Sequence, residues 1–180
     1  MKRIALFVRK VQTLKNSARL AYLKSHLDIP QYLRWLAGAV CTGNYDGFDQ
    51  NYALYRTSGS IKYHISPWDY EGTWGRDCYG EIVSSRSLRI EGYNGLTERL
   101  LSCPSIRRKY RKVLQGVLQK HFTREALEPK IRTLYAQLLP ELMGDGTRRH
   151  SAYDMMSDLH VFLRYIGERR AFIEEELSKL

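Results

Sequence analysis

Two short stretches rich in glycine, aromatic and acidic residues, 43–52 and 67–75, interrupt a chain whose other segments are largely helical in pattern. Between them lie two runs rich in tyrosine, isoleucine and leucine, 51–56 and 61–66, separated by residues 57–59 (Thr-Ser-Gly). Two such runs joined by a short glycine-containing loop predict a β-hairpin. The expected fold class is therefore mainly α with a small β-hairpin, an α+β chain.

The segment before the hairpin is expected to be helical. Apolar residues recur at helical spacing from about residue 4 to residue 25, which predicts an amphipathic N-terminal helix. A second helix is expected to begin after Asp28, a good N-cap, with Pro30 in its first turn. It would end at Thr42, before Gly43, and deliver the chain to the first acidic stretch.

The segment after the hairpin combines one long loop with several helices. Residues 70–95 are rich in glycine and serine and show no long period, which predicts an irregular and functional segment. Helices are expected at 96–102, at 105–122, from Thr123 to a turn at 144–146, and from Ser151 onwards. The helix after Thr123 carries its apolar residues at Leu134, Leu138 and Leu142.

Three polar side chains bracket the predicted hairpin. Asp46 and Asn51 have the spacing of the protein-kinase catalytic loop, where the Asp accepts the substrate hydroxyl proton and the Asn holds magnesium. Asp69 follows the second strand, where a kinase places its second metal-binding Asp. The pattern predicts a phosphoryl-transfer site in which Asp46 is catalytic and Asn51 and Asp69 bind metal. The alternative is a turn residue at Asp46 and caps at the other two positions.

Further candidates lie close to these three. Glu71 is a weaker candidate metal ligand, whereas Asp49 is expected to face solvent. Tyr63 and Trp68, on or beside the second strand, could stack on an adenine ring, with packing in the core as the alternative for each. Arg76 is expected either to bind a phosphate or to form a structural ion pair.

The net charge of +10 and the pI of 9.6 would suit binding to nucleic acid, anionic membranes or phosphates. Much of this charge lies in residues 107–112, with smaller groups at 148–149 and 169–170, and a solvated helix face is the expected role. Because no nucleic-acid-binding motif accompanies the charge, a basic nucleic-acid-binding domain is only a third alternative.

Cysteine spacing and hydropathy argue against a zinc-binding domain, a membrane-spanning protein and a signal peptide. Cys41, Cys78 and Cys103 show no zinc-ligand spacing and are expected to be free thiols. No apolar run approaches the roughly 18 residues that a membrane span needs. The basic N-terminal segment has too short an apolar stretch for a signal peptide. At 180 residues the chain is expected to form one domain, 1–180.

The segment 27–75 resembles the CotH family, the spore-coat protein H kinases. The resemblance rests on residues 28–36 ahead of 43–46, on 51–56, on 67–69 and on 94–101. It implies a protein-kinase-like C-terminal lobe that uses ATP and Mg²⁺ or Mn²⁺ to phosphorylate Ser or Thr of spore-coat proteins. It also implies a location in the mother-cell cytoplasm or the spore coat. Because the sequence has no nucleic-acid-binding motif and no membrane-spanning run, neither a specific nucleic acid nor a membrane is expected as a partner.

One motif of ordinary kinases is missing from the sequence. No G-x-G-x-x-G precedes Asp46, and the residues before it are helical in pattern. The chain is therefore expected to be the C-terminal lobe portion of a longer protein. A catalytically inactive scaffold protein of the spore coat is the alternative function.

Overall fold

The computed structural model describes residues 2–144 and 152–180. Within those ranges the chain is mainly helical with one two-stranded antiparallel sheet, which confirms the expected α+β class. The predicted helix start at Ser151 and the turn residues 145–146 lie outside the described residues. The elements are α1 Lys2–Thr13, α2 Asn16–His26, α3 Ile29–Thr42, β1 Tyr52–Tyr55, β2 His64–Pro67, α4 Gly95–Leu101, α5 Pro104–Lys120, α6 Arg124–Gly144 and α7 Ala152–Leu177.

The N-terminal apolar run forms two helices rather than the single predicted one. α1 ends at Thr13 and α2 begins at Asn16, whose φ of +48° lies in the left-handed region. The buried side of α1 presents Phe7, whose ring centroid lies 4.6 Å from that of Tyr63. The break depends on the backbone of one residue, which apolar spacing does not indicate.

α3 is the central helix, with nine buried residues among its 14, and its predicted ends are confirmed. The Asp28 carboxylate accepts a hydrogen bond from the Gln31 N–H at 3.0 Å, and Pro30 occupies the first turn. Gly43 ends the helix with a φ of +71°. α3 contacts α5, α7 and β2, so it fixes the site segments on either side of the hairpin.

The hairpin is present with shorter strands than predicted. Its antiparallel register pairs Tyr52 with Pro67 and Leu54 with Ile65. Gln31 of α3 joins the hairpin to the core, because its side-chain amide donates to the Ile65 carbonyl and accepts from the Ile65 N–H. Asn51 and the segment after Pro67 therefore lie at the same end of the sheet.

The downstream helices follow the predicted order. Asn94 caps α4 by accepting the Thr97 N–H at 2.8 Å, and Thr123 caps α6 by accepting the Ala126 N–H at 3.1 Å. α6 packs along α7. The expected apolar positions Leu134 and Leu138 are exposed, at 56% and 52%. The other side of α6, which includes Leu127, Ile131 and Tyr135, packs against the core.

The arginine pair at 169–170 does not form the solvated face that the charge pattern predicted. Arg169 is fully buried and donates from Nε to the Val40 carbonyl at 2.9 Å and from Nη1 to the Ser85 carbonyl at 2.8 Å. Arg170 donates to the Leu118 and Phe122 carbonyls. The carbonyls of Val40, Leu118 and Phe122 lie at or just after helix C-termini, where a cation is favourable. Ser85 lies instead in the loop between β2 and α4.

The three cysteines are free: Cys41 is buried, Cys103 is half-buried and Cys78 is exposed. No helix among residues 2–144 and 152–180 combines the length and the apolar content that a membrane span requires.

Candidate functional site

Asp46 begins a short 3₁₀ turn, Asp46–Phe48, four residues after the end of α3 at Thr42. Asn44 shapes this turn: it is 2% exposed, and its side-chain oxygen accepts the Gly47 N–H at 2.8 Å. A Cβ at Gly47 would lie 2.9 Å from the Asn44 side chain, so the turn requires glycine there. The buried Phe48 anchors the turn in the core.

The main chain of this turn sets the position of Asn51 relative to Asp46. The Asp46 carbonyl accepts the N–H groups of Asp49, Gln50 and Asn51, at 3.1, 3.0 and 2.9 Å. The side chains of Asp46 and Asn51 are both half-buried. The structure thus holds these two candidates on one compact loop, directly before β1.

Asp69 lies just beyond β2 and is exposed, with a φ of +52°. The chain after it is held by two hydrogen bonds: the Thr73 hydroxyl donates to the Tyr70 carbonyl at 2.6 Å, and the Trp74 N–H donates to the Thr42 carbonyl at 2.8 Å. The second bond attaches the acidic segment to the end of α3, from which the Asp46 turn also departs.

The pKa of Glu71 responds to carboxylates from both segments. A hydrogen bond between the Glu71 and Asp69 carboxyl groups is the main cause that raises the pKa of Glu71, and the charges of Asp69 and Asp46 raise it further. Like charges raise a carboxyl pKa only when they are close. The structure therefore brings Asp46, Asp69 and Glu71 to one side of the molecule.

Tyr93 is a further residue at this place, and no sequence signal marked it. Its hydroxyl donates to the Tyr45 carbonyl at 2.5 Å. Burial raises the pKa of Tyr93, and nearby Tyr45, Asp49 and Asp46 raise it further. Tyr93 follows Gly92, whose φ is +65° and whose missing Cβ leaves room for Phe48.

Three residues here, Asn51, Asp69 and Glu71, carry side-chain oxygens that could contribute to a metal site with few protein ligands. Among residues 2–144 and 152–180 there is no group of three or more His, Cys, Asp or Glu side chains that could hold a metal ion by themselves. Mg²⁺ characteristically takes one or two carboxylates and completes its shell with water and phosphate oxygens. Asp69 and the Asn51 amide oxygen are the donors suited to such a shell, with Glu71 beside them.

Sequence comparison adds the family to this geometry. The sequence model of the family described as CotH kinase protein matches residues 1–173. This chain belongs to the CotH family.

Two curated relatives come from Bacillus subtilis (strain 168). Inner spore coat protein H is 38% identical over 171 residues, which cover 95% of this CotH chain and 47% of that protein. The inner spore coat protein H-like protein is 28% identical over 158 residues, covering 88% and 48% respectively. The chain thus spans about half the length of the curated relatives that it matches.

The two aromatic candidates of the CotH chain differ in accessibility. Tyr63 is 6% exposed and packs on Phe7, with the Arg56 guanidinium 5.5 Å from its ring centroid. This burial leaves no open ring face for a purine, so Tyr63 has the core role. Trp68 is 68% exposed, so its expected alternative role in the core is wrong.

Arg76 takes the structural role rather than the phosphate-binding one. It forms an ion pair with Asp158 of α7 and donates to the Gly80 carbonyl at 2.5 Å. Tyr165 of α7 packs against Gly43 and Gly75, and a Cβ at Gly75 would lie 2.9 Å from the Tyr165 ring. In the CotH chain, α7 thus supports both segments that carry the acidic side chains.

Proposed function

We propose that this CotH-family chain forms the C-terminal lobe of a protein-kinase-like catalytic unit. Its reaction is ATP- and Mg²⁺- or Mn²⁺-dependent transfer of a phosphoryl group to Ser or Thr of spore-coat-type proteins. The observation that carries the proposal is that the segments carrying Asp46 and Asp69 lie at the same end of the hairpin, where Tyr52 pairs with Pro67. Both acidic residues also raise the pKa of Glu71. Two loops that converge on several carboxylates suit a metal–phosphate complex.

Each residue has a defined task in this reaction. Asp46 accepts the proton of the substrate hydroxyl as that oxygen bonds to the γ-phosphorus and ADP departs. Asn51 and Asp69 would hold the metal, which would neutralise charge on the phosphates, and Glu71 would add negative charge beside it. The carboxylates would repel ATP without a cation, so metal and nucleotide bind together. Catalysis rests on positioning and on neutralisation of charge.

The proposed substrate and location follow from the names of the two curated relatives. Their names place them in the inner spore coat, so we propose a spore-coat protein as substrate and the spore coat or the mother-cell cytoplasm as location. Because the chain spans about half the length of those relatives, we propose that residues 1–180 form one lobe of the catalytic unit. In this proposal the lobe that covers ATP, with its phosphate-binding lysine, lies in the part of the full-length protein outside residues 1–180.

A second candidate function is a structural protein of the spore coat without catalysis. The names of both relatives favour it, since each is called a coat protein. The exposure of Asp69 and Glu71 is equally compatible with solvated turn residues.

Substitutions in the full-length protein separate the two functions. Asp69→Asn removes the charge on a metal ligand and is expected to lower phosphoryl transfer by about 100-fold or more. Asp46→Asn is expected to be severe but to leave some activity, because metal binding and positioning survive it. The measurement is radiolabel transfer from ATP to a serine-containing basic peptide, with circular dichroism as the folding check.

Asp77→Asn is the matched control. Asp77 lies in the same loop segment, and its carboxylate accepts the N–H groups of Tyr79 and Glu81, which an asparagine oxygen can also do. This variant is expected to keep the wild-type rate. Wild-type rates for all three variants would identify Asp46 and Asp69 as turn residues and contradict the roles proposed for them. No transfer by the folded wild-type protein would favour the structural function instead.

A further inference from the structure

Positive charge is concentrated in two separate segments of the chain. Residues 1–27 carry seven Lys and Arg, and residues 99–123 carry another seven, whereas neither segment contains an Asp or a Glu. The rest of the chain holds all 19 acidic residues and only 15 of the 29 Lys and Arg. The two segments therefore account for the basic character of the protein, and the remainder is acidic.

The two segments meet in space. A cavity of about 300 Å³ opens between α2 and the junction of α4 and α5. Arg19 and Leu20 of α2 line one side, and Arg99, Cys103 and Pro104 line the other. No carboxylate lines this cavity. Residues that are distant in the sequence thus form one cationic surface around a concave site.

The thiol of Cys103 shows that a further cation of α2 lies near the start of α5. Burial acts to raise the pKa of Cys103, but hydrogen bonds to residues at the start of α5 and the charge of Lys24 lower it. A charge affects a pKa in this way only when it is close. Lys24 thus adds its charge to that of the two arginines that line the cavity.

Carboxylates of the protein itself do not neutralise these cations. Within the part of the chain that the structure describes, no ion pair includes a residue of either segment. Arg19 donates from Nε to the Leu14 carbonyl at 2.6 Å. Arg99 donates from Nη1 to the Gly95 carbonyl at 2.8 Å. Both arginines are half-buried and keep their net charge, so an anionic partner would relieve the repulsion among the cations.

The shape and composition of this surface favour an acidic protein segment over other polyanions. A flat lipid surface cannot enter a cavity, whereas an extended polypeptide can place side chains in it. Single-stranded nucleic acid stacks its bases on aromatic side chains, and no Phe, Tyr or Trp is exposed in the described parts of the two segments. Ile4, Leu6 and Val8 of α1 are exposed beside the cations and offer apolar contacts to a protein.

We propose that the cavity between α2 and the α4–α5 junction binds an acidic segment of a partner protein. Carboxylates of that segment pair with Arg19, Arg99 and Lys24, and an apolar side chain contacts Leu20 and Pro104. Further carboxylates face the exposed cations of α1 and α5. This binding does not depend on phosphoryl transfer, because no residue of the proposed catalytic site lines the cavity.

A fluorescein-labelled peptide of glutamate and alanine is the probe, and the matching glutamine–alanine peptide is the uncharged comparison. The full-length protein is expected to bind the acidic peptide saturably in fluorescence anisotropy. Its affinity should fall as salt is added, because exposed charges are screened. The glutamine peptide should bind at least about tenfold more weakly.

Two paired substitutions separate this cavity from a general attraction by net charge. Arg19→Gln with Lys24→Gln should weaken binding of the acidic peptide by about tenfold or more. Lys62→Gln with Lys130→Gln removes the same charge at exposed positions outside the two segments, and its affinity should stay within about twofold of wild type. Lys24→Gln alone, at an exposed position, should weaken binding by about threefold even if the Arg19 substitution disturbs the fold. Circular dichroism checks the folding of each variant.

Cys103 reports directly on occupation of the cavity. Its half-buried thiol lines the cavity, whereas Cys78 is exposed in a different segment. Bound acidic peptide should slow the alkylation of Cys103 by iodoacetamide in proportion to the fraction bound. The alkylation rate of Cys78 should not change. Mass spectrometry of proteolytic peptides measures both rates in the same sample.

Four results would overturn the proposal. Equal binding of the two peptides, or no saturable binding of the acidic one, would mean that the surface does not recognise acidic segments. Equal losses in the two paired variants would mean that only net charge matters. Binding without protection of Cys103 would place the peptide on another surface. Saturable binding of duplex DNA or phosphatidylglycerol vesicles without binding of the acidic peptide would identify a nucleic acid or a membrane as the partner instead.

Discussion

At the scale of single residues, the protonation of Glu71 reports on its neighbours. Its pKa is raised mainly by the Asp69 carboxylate and further by Asp46. Asp69→Asn is therefore expected to lower the pKa of Glu71 towards its ordinary value, with a smaller decrease for Asp46→Asn. Carboxyl-carbon NMR titration measures both. An unchanged Glu71 pKa in Asp69→Asn would mean that the two carboxylates are apart in solution.

Arg169 is a second residue with a predictable energetic role. Its guanidinium is buried without a carboxylate among the described residues and serves the Val40 and Ser85 carbonyls. Arg169→Met would leave both carbonyls without their donors and is expected to destabilise the fold by about 3 kcal/mol. Urea denaturation measures this change. Arg164→Met on the same helix is the control, expected within about 0.5 kcal/mol because Arg164 is exposed.

At the scale of elements, the junction between α3 and the Asp46 turn depends on Gly43. Its φ of +71° disfavours any side chain, and an added Cβ would collide with the Tyr165 hydroxyl. Gly43→Ala is expected to cost about 3 kcal/mol. In a Tyr165→Phe background the cost should fall by about 1 kcal/mol, because the colliding oxygen is gone. Strictly additive effects in thermal or urea unfolding would contradict this contact.

Elements fixed by local chemistry were predictable from the sequence. The Asp28 cap, the Gly43 stop and the Thr123 cap each depend on a side chain or a backbone preference within a few residues. The hairpin also followed from its composition. The break at Asn16 was not predictable, because it depends on one left-handed backbone conformation rather than on the apolar spacing of α1 and α2.

Features that depend on distant packing were not predictable. Arg169 is paired with main-chain carbonyls far away in sequence, and a carbonyl carries no side-chain identity that a sequence could show. Leu134 and Leu138 have helical periodicity, but α7 packs on another side of α6 and leaves both exposed. At the candidate site, the order of Asp46, Asn51 and Asp69 was readable from the sequence, whereas the proximity of Tyr93 was not.

At the scale of the whole molecule, buried weak acids make stability depend on alkaline pH. Burial raises the pKa of the Cys41 thiol to about 12, although Arg169 and Arg170 partly oppose it. Burial likewise raises the pKa values of Tyr32 and Tyr110. Above their ordinary pKa values the unfolded chain loses these protons while the folded chain keeps them. Stability is therefore complete below about pH 9 and falls as pH rises towards 12.

Urea denaturation between pH 8 and pH 10.5 tests this expectation. Between about pH 9 and 10 the thiol contributes alongside the buried phenols, because phenols in an unfolded chain titrate near 10. Each fully engaged group contributes a decrease of about 1.4 kcal/mol per pH unit. Cys41→Ala should make the decrease in that interval distinctly shallower, whatever its effect on stability at pH 8. The same slope in both proteins would show that Cys41 does not contribute.

The hydrogen bond from Arg169 to Val40 also affects the order in which the chain can fold during synthesis. It joins residues 129 positions apart, and the bond to Ser85 joins residues 84 positions apart. A ribosome adding about 5–20 residues per second needs roughly 6–26 seconds to pass from Val40 to Arg169. For most of that interval the acidic loops have already been synthesised while the arginine that joins α3 to Ser85 has not. The nascent chain therefore carries these loops before it can assemble their support.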